Sequence, residues 1–536
     1  MTDSPSGSVY SSVREQLPPR RPDVLDRRGF LRVAGVAGTA LLGTSVLAAC
    51  GGGSSDTVNT IKAAIAGEPD QLDPQKSSSY FTFEVLENVF DTLVEPDEQL
   101  QMRPALAESW EVSPDGLQWT FTLRDGVTFH NGDPLTAADV EYSFRRIIDE
   151  ELSNAYKLEA IASITALDDR RVRFTVSAPT PNLLTSIGGF KGLAIVNRRN
   201  VESGEITTRP IGTGPFSFIS RSPGASIVLA SNPDYWGGAP AVDGVRYSFI
   251  SQGTTAVSAL RSGEIDWTDA IPAQQLSILR RDDTLDVGTV VANDYWYVTM
   301  NFDAPPFDDT RVRQAVAYAI DRDSIAQVVG YGTATPNKLA IPSTSPWFAP
   351  YDRYTAGLDR DAAVANARDL LRQAGIRGLD MRLMVTTEYP ETVTAAQVIA
   401  SNLADVGIDV RIEQLDFGAW LDRQAAGDFD ALLLGWLGNI DPDDFYYAQH
   451  HSEGTSNSQK YSNPEVDALL DRGRTELDVE ARKRIYAEAA SIIADDVSYL
   501  YLYNPSSTQA FVTQLRGYVV RPDKAIRFRD ARLERS

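Results

Sequence analysis

From about residue 312 onward the chain alternates between two hydrophobic periods, and that alternation restricts the fold more than any other feature. Val312, Val316, Ala319 and Ile320 recur at helical spacing, as do Val364, Ala367, Leu370 and Leu371, with Gly375 placed to end the second helix. Met381, Leu383 and Val385 alternate as a strand, residues 392–406 return to helical spacing as far as Gly407, and Ile408, Val410 and Ile412 alternate again. A helix around Trp420 then leads into Asp430-Ala431-Leu432-Leu433-Leu434, whose last four residues are all apolar. A strand with no polar face must be covered on both sides, so an α/β lobe with helices on both faces of a sheet is expected.

The first half is less regular. Residues 58–65 read as a strand closed by Glu68-Pro69-Asp70, and Phe81, Val85, Leu86 and Val89 have helical spacing. Trp119, Phe121 and Leu123 alternate with polar residues as a half-buried strand. Asp125-Gly126 then turns into a second strand carrying Val127 and Phe129. Thr136, three residues before Asp139, caps a helix that buries Val140, Phe144, Ile147 and Ile148. Near the end, one long helical stretch over residues 464–495 precedes a strand at 498–503. At 536 residues, two or three packing units are expected rather than one core.

The formal charge of −23 argues against nucleic acid as a partner, because no basic surface could neutralise phosphates in bulk. Cys50 is the one cysteine, so neither an intrachain disulfide nor a cysteine-based metal site can form. Its position is informative. Arg27-Arg28 precedes the uncharged run Val33–Ala49, which ends Leu47-Ala48-Ala49-Cys50. The arginine pair with Phe30-Leu31 resembles a twin-arginine export signal, and the end of the run resembles the lipobox of bacterial lipoproteins. That resemblance implies lipidation of Cys50 after cleavage, with residues 1–49 removed and 50–57 left as a flexible tether to the membrane.

Several stretches of the remaining chain resemble the family 5 extracellular solute-binding proteins, which include dipeptide and oligopeptide binders. They are Leu106-Ala107-Glu108-Ser109-Trp110 through Leu123-Arg124-Asp125-Gly126 to Asp139-Val140, then Gly212-Thr213-Gly214-Pro215-Phe216 with Asn232-Pro233-Asp234-Tyr235-Trp236. Arg261-Ser262-Gly263-Glu264-Ile265-Asp266, Pro306-Phe307-Asp308 with Arg311-Val312-Arg313, and Gly435-Trp436 with Asp441-Pro442-Asp443 follow in the family's order. The resemblance implies an α/β, two-lobed, type II periplasmic-binding-protein-like fold with a hinge and an extra inserted α+β subdomain. Lobe I is expected from 58–93, 206–290 and 504–536, the inserted subdomain from 94–205, and lobe II from 291–503. It also implies a ligand enclosed between the lobes and delivered to an ABC permease with its ATPase subunits, and a monomeric protein tied by lipid to the outer face of the cell membrane, in the periplasm where an outer membrane is present.

Candidate ligand contacts follow from sheet-end physics and from the resemblance. In α/β lobes, ligands lie beyond the carboxyl ends of strands, and Trp436 and Asn439 follow the apolar strand within five residues. Tyr295, Trp296 and Tyr297 lie at the expected passage between lobes, with Phe417, Tyr80 and Phe81 as further aromatic candidates. Where peptide binders of the family place an aspartate for the ligand's α-ammonium, this chain has Asn439, with Asp441 two residues further on. Where oligopeptide binders carry carboxylate-pairing arginines, it has Gln424 and Leu433. Two ligand classes stay open: a peptide with Asp441 supplying the carboxylate, or a neutral solute such as an oligosaccharide stacked on Trp296 and Trp436.

A secreted hydrolase is the alternative of a different class, and the sequence offers little for it. His130 sits in a hairpin region and His450-His451 in a polar loop; neither has metalloprotease spacing, and no serine sits in a nucleophile elbow. The acidic run Asp441-Pro442-Asp443-Asp444 reads as a solvated turn rather than a calcium loop. No cofactor or metal is expected.

Overall fold

The computed structural model describes residues 59–189, 192–351, 353–354, 358–436 and 440–535. The export signal with Arg27 and Arg28, the lipidation site Cys50, the tether, and Asn439 lie outside the described residues.

Two mixed sheets and a smaller antiparallel one organise the chain. The first has seven strands in the order Leu285–Val291, Ser506–Val512, Trp267–Thr268, Thr60–Ile65, Gly244–Phe249, Ser226–Ser231 and Phe216–Ser222. Thr60–Ile65 is parallel to both neighbours and almost wholly buried, as a near-continuous apolar run requires. The second sheet has six strands in the order Thr335–Pro336, Leu500–Asn504, Tyr295–Met300, Ala431–Trp436, Leu379–Thr386 and Ile408–Leu415. The expected α/β alternation is present: the helices Thr310–Ala319, Arg360–Gln373 and Pro390–Ala404 cover one face of this sheet, and Pro442–His450, Pro464–Thr475 and Val479–Asp495 cover the other. Gly375 and Gly407 take φ of +79° and +83°, the left-handed conformation that ends a helix without a Cβ clash.

Four antiparallel strands, Ala107–Val112, Gln118–Leu123, Arg171–Val176 and Ile161–Ala166, make the third sheet. Trp119, Phe121 and Leu123 point inward and meet the helix Ala137–Asp149. Phe174 is edge-on to both Phe121, at 5.4 Å, and Phe144, at 5.2 Å. Thr136 and Asp139 close a capping box at the start of that helix. The extended segment 193–196 is shared between cores: Leu193 and Ile195 enter the core of the small sheet, while Ala194 and Val196 enter that of the seven-stranded one.

The chain passes from the first sheet to the second through Ala292–Asp294 and returns through Pro505. The two passages lie side by side, the Ala292 amide donating to the Pro505 carbonyl at 2.9 Å and the Asn504 side-chain amide to the Asp294 carbonyl at 2.8 Å. Asn504 therefore closes a strand of the second sheet, one residue past the expected boundary. Three local expectations also change. Residues 127–129 make only an isolated bridge, Thr128 to Pro134. The stretch 464–495 is two helices, because Asp478 accepts from the Ala481 amide and starts a new one. His450 and His451 are buried rather than in a polar loop.

In the second sheet, Trp296 is opposite Gly435. A Cβ on Gly435 would stand 2.9 Å from the indole, so only glycine lets the ring lie flat on that strand. Gly435→Ala is expected to cost about 1–3 kcal/mol, read as a lower urea midpoint with an unchanged slope.

Candidate functional site: the cleft between the lobes

Three units converge on one gap. Glu87, Asp523, Ala525 and Arg527 line it from the first lobe, Pro96, Lys157, Thr185 and Gly189 from the inserted subdomain, and Ile440 and Asp444 from the second lobe. The walls are close: a Cβ on Gly189 would stand 4.0 Å from Ile440 Cδ1. Lys157 of the subdomain faces Asp444 of the second lobe, and its charge partly offsets the burial that raises the Asp444 carboxyl. One Asp444 oxygen also accepts from the backbone amides of Ile440 and Asp441, at 3.3 and 3.2 Å, which fixes the backbone just beyond residues 437–439.

Trp436 ends its strand in the second lobe, half-buried, four residues before Ile440 of the gap. Its indole N–H stands against the Tyr297 and Tyr499 hydroxyls. The register sets Trp436 opposite Tyr295 and Trp296 opposite Gly435, so the two indoles leave opposite faces of the sheet. They do not form a single stacking platform, which removes the geometry expected for an oligosaccharide held between them.

Trp296 belongs to an aromatic group with Tyr389, at 5.7 Å, and Tyr503, at 6.4 Å; Tyr389 in turn meets Phe417 at 5.9 Å. Tyr295 and Tyr297 do not face the cleft. Both are fully buried, Tyr297 stacked on Tyr499 at 3.8 Å and Tyr295 against Phe445 at 5.9 Å. On a strand whose two faces are both covered, alternate residues are packing by necessity. Tyr80, at 37% exposed, lies on the first lobe, and its hydroxyl donates to the Lys524 carbonyl at 3.2 Å.

Asp441 is committed elsewhere. It caps the helix Pro442–His450 and pairs through both oxygens with the Arg482 guanidinium, at 2.7 and 2.5 Å, both side chains being almost completely buried. Releasing it to a ligand would strand a buried guanidinium. Gln424 bonds Ser458, and Leu433 is in the core.

A charged group near the chain passages has no counterpart among the residues expected from the sequence. Lys524 pairs with Asp294 at the passage between sheets and also feels Asp269 and Glu391. Asp269 in turn faces Glu84. Glu391 comes from the second lobe and the others from the first lobe or the passage. The residues are scattered over more than 400 positions, and no local motif joins them.

The histidines are all engaged. His130 Nε2 donates to the Gly214 carbonyl at 2.9 Å, and its Nδ1 accepts from the Gly212 amide. His450 lies between the Ser498 and Tyr501 hydroxyls at 2.8 and 2.9 Å, where burial pushes its pKa down to about 3. His451 stacks on Tyr447 at 4.6 Å. Among the described residues, no group of three acidic, histidine or cysteine side chains could hold a metal, and no helix is long and apolar enough to cross a membrane.

Behind the cleft, burial pushes the Asp443 carboxyl up to about 7, Arg474 opposing and Asp441 and Asp444 adding to the rise. An unfolded aspartate titrates near 4. The favourable contribution of the protonated group is therefore complete below about pH 4 and is lost as pH rises through 7. Asp443→Asn is expected to flatten the fall in stability between pH 4 and 8, measured by urea unfolding at each pH.

The profile of bacterial extracellular solute-binding proteins, family 5 Middle, matches residues 101–457. Protein XP55 of Streptomyces lividans is 30% identical over 471 residues, covering 84% of each chain. Di/tripeptide-binding protein 2 of Pseudomonas aeruginosa is 29% identical over 89% of this chain and 95% of its own. Among solved structures, the ABC transporter-associated periplasmic binding protein DppA from Helicobacter pylori, in complex with the peptide STSA, aligns with a TM-score of 0.73 at 28% identity, over 89% of this chain and 98% of that one. The two-lobed α/β fold and the sequence agree over nearly the whole described length, and the chain belongs to the family 5 bacterial extracellular solute-binding proteins.

Proposed function

We propose that this chain is the lipid-anchored substrate-binding component of an ABC importer, that it captures a peptide between its lobes, and that it presents the closed form to the permease. The observation that carries the reading is the cleft itself, walled by all three units, in a chain whose two lobes are joined by a pair of side-by-side passages. Two such passages permit rotation of the lobes, and a ligand that touches both walls favours the closed form. A peptide is favoured because relatives alike over almost their whole length carry peptide-binding names, and one was solved holding a tetrapeptide. An oligosaccharide is disfavoured by the opposite facing of Trp296 and Trp436.

Binding alone is the proposed activity, in keeping with the family and with three histidines held in structural hydrogen bonds or stacking. Arg27 and Arg28 are proposed to direct export, and Cys50 to carry the lipid that keeps a monomeric binder near its permease, raising its effective concentration there. Of the aromatic candidates, Trp436 remains proposed as a ligand contact, as do Tyr80, Trp296 and Phe417 around the cleft. Asn439, three residues past Trp436, is proposed to meet the ligand's polar end.

Mass spectrometry of what the natively exported protein retains tests the ligand class: peptides are expected, and a uniform oligosaccharide cargo would overturn the reading. Trp436→Ala should weaken peptide binding at least about tenfold, roughly 1.4 kcal/mol, with thermal unfolding little changed. Cys50→Ser should move the protein from the membrane fraction to the soluble one.

A further inference from the structure

Glu84 lies near the end of the short helix Tyr80–Leu86 and is 1% exposed, yet neither of its carboxyl oxygens closes a hydrogen bond. A buried carboxylate without a partner is strongly disfavoured, and native structures rarely keep one without a reason. Its polar neighbours offer hydrogen-bonding contact but no compensating charge. Asp269 faces it with a second carboxyl, and Tyr80 with a hydroxyl. Among the described residues no arginine or lysine forms an ion pair with Glu84 or Asp269. Lys524, the cation beside Asp269, is already paired with Asp294 and shared with Glu391. Three carboxyl groups, of Asp294, Asp269 and Glu391, thus surround one ammonium, and Glu84 stands behind Asp269.

The place matters as much as the charge. Asp269 directly follows the strand Trp267–Thr268, which runs parallel to Thr60–Ile65 in the first sheet. The carboxyl ends of such parallel strands are where α/β sheets hold ligands. From there the groups lead across the gap: Asp269 to Lys524, Lys524 to Glu391, and Glu391 to Tyr503 of the second lobe. Tyr503 stacks with Trp296, and its buried hydroxyl also lacks a partner. An acidic wall on one lobe therefore meets an aromatic wall on the other, and both attract a cation.

We infer that Glu84 and Asp269 form the receptor for a positively charged group of the ligand, an ammonium or guanidinium enclosed when the lobes close. This rests on the reading of the cleft as the ligand site and assigns its charge selectivity. In the empty protein, burial and the second carboxyl favour a proton on this pair; a bound cation takes that proton's place.

The test uses cargo-free, full-length protein with two pools of tripeptides, one with free amines and the same pool acetylated at every amine, and with spermidine as an amine lacking peptide bonds. The free pool should be retained at least tenfold better than the acetylated one. In Glu84→Gln that ratio should fall below threefold, and Asp269→Asn should do the same if the first variant folds poorly. Equal retention of the two pools by the wild type overturns the inference and leaves the peptide reading standing, as does an unchanged ratio in both variants. Retention of spermidine but of no tripeptide sustains the inference and overturns the peptide reading; retention of nothing overturns both.

Discussion

The amide of Ala292 donates to the carbonyl of Pro505 at the point where the chain leaves one sheet and, two hundred residues later, returns to it. Both passages are therefore held side by side, and Asn504 ties the second to Asp294 in the first. Each sheet has its own core, and what joins the lobes covalently is this narrow ribbon. Its placement decides where the cleft opens and which residues can meet across it. Asp294 sits on the ribbon and holds Lys524, so the cation in the cleft is anchored to the part that moves least when the lobes rotate.

Hydrophobic period carried most of the second lobe into view. Four consecutive apolar residues at 431–434 demanded a covered strand, and that strand lies inside the sheet between Tyr295–Met300 and Leu379–Thr386. At Tyr295 and Tyr297, expected as ligand contacts from their place at the passage between lobes, the sequence offered no such guide, because an aromatic residue that fills a core and one that grips a ligand look alike until the pleat direction is known. Hydrophobic period ran past Leu477 and Asp478, where a single cap divides an otherwise continuous helical pattern. The acidic group of the first lobe was illegible for another reason: Glu84, Asp269 and Lys524 are distant in sequence, and each alone reads as a surface charge. Only the fold reveals that Glu84 is enclosed.

Asp441 shows how a residue can match a functional expectation in type and place and still be structural. Its carboxylate completes a helix cap and neutralises Arg482, which itself lies over the Trp347 and Tyr486 rings. Such a buried pair is weak evidence for net stability but strong evidence that neither member is free. It thereby holds the start of the helix Pro442–His450.

The division of residues 193–196 between two cores has a mechanical meaning. Leu193 and Ile195 are rooted in the inserted subdomain, and Ala194 and Val196 in the first lobe, along one extended segment. Any tilt of the subdomain against that lobe would have to pull one set of these side chains from its core. The two units therefore behave as one jaw. Lys157 and Gly189, carried on the subdomain, would approach Asp444 and Ile440 in step with Glu87 and Arg527, so a cargo too bulky for either unit would prop both open.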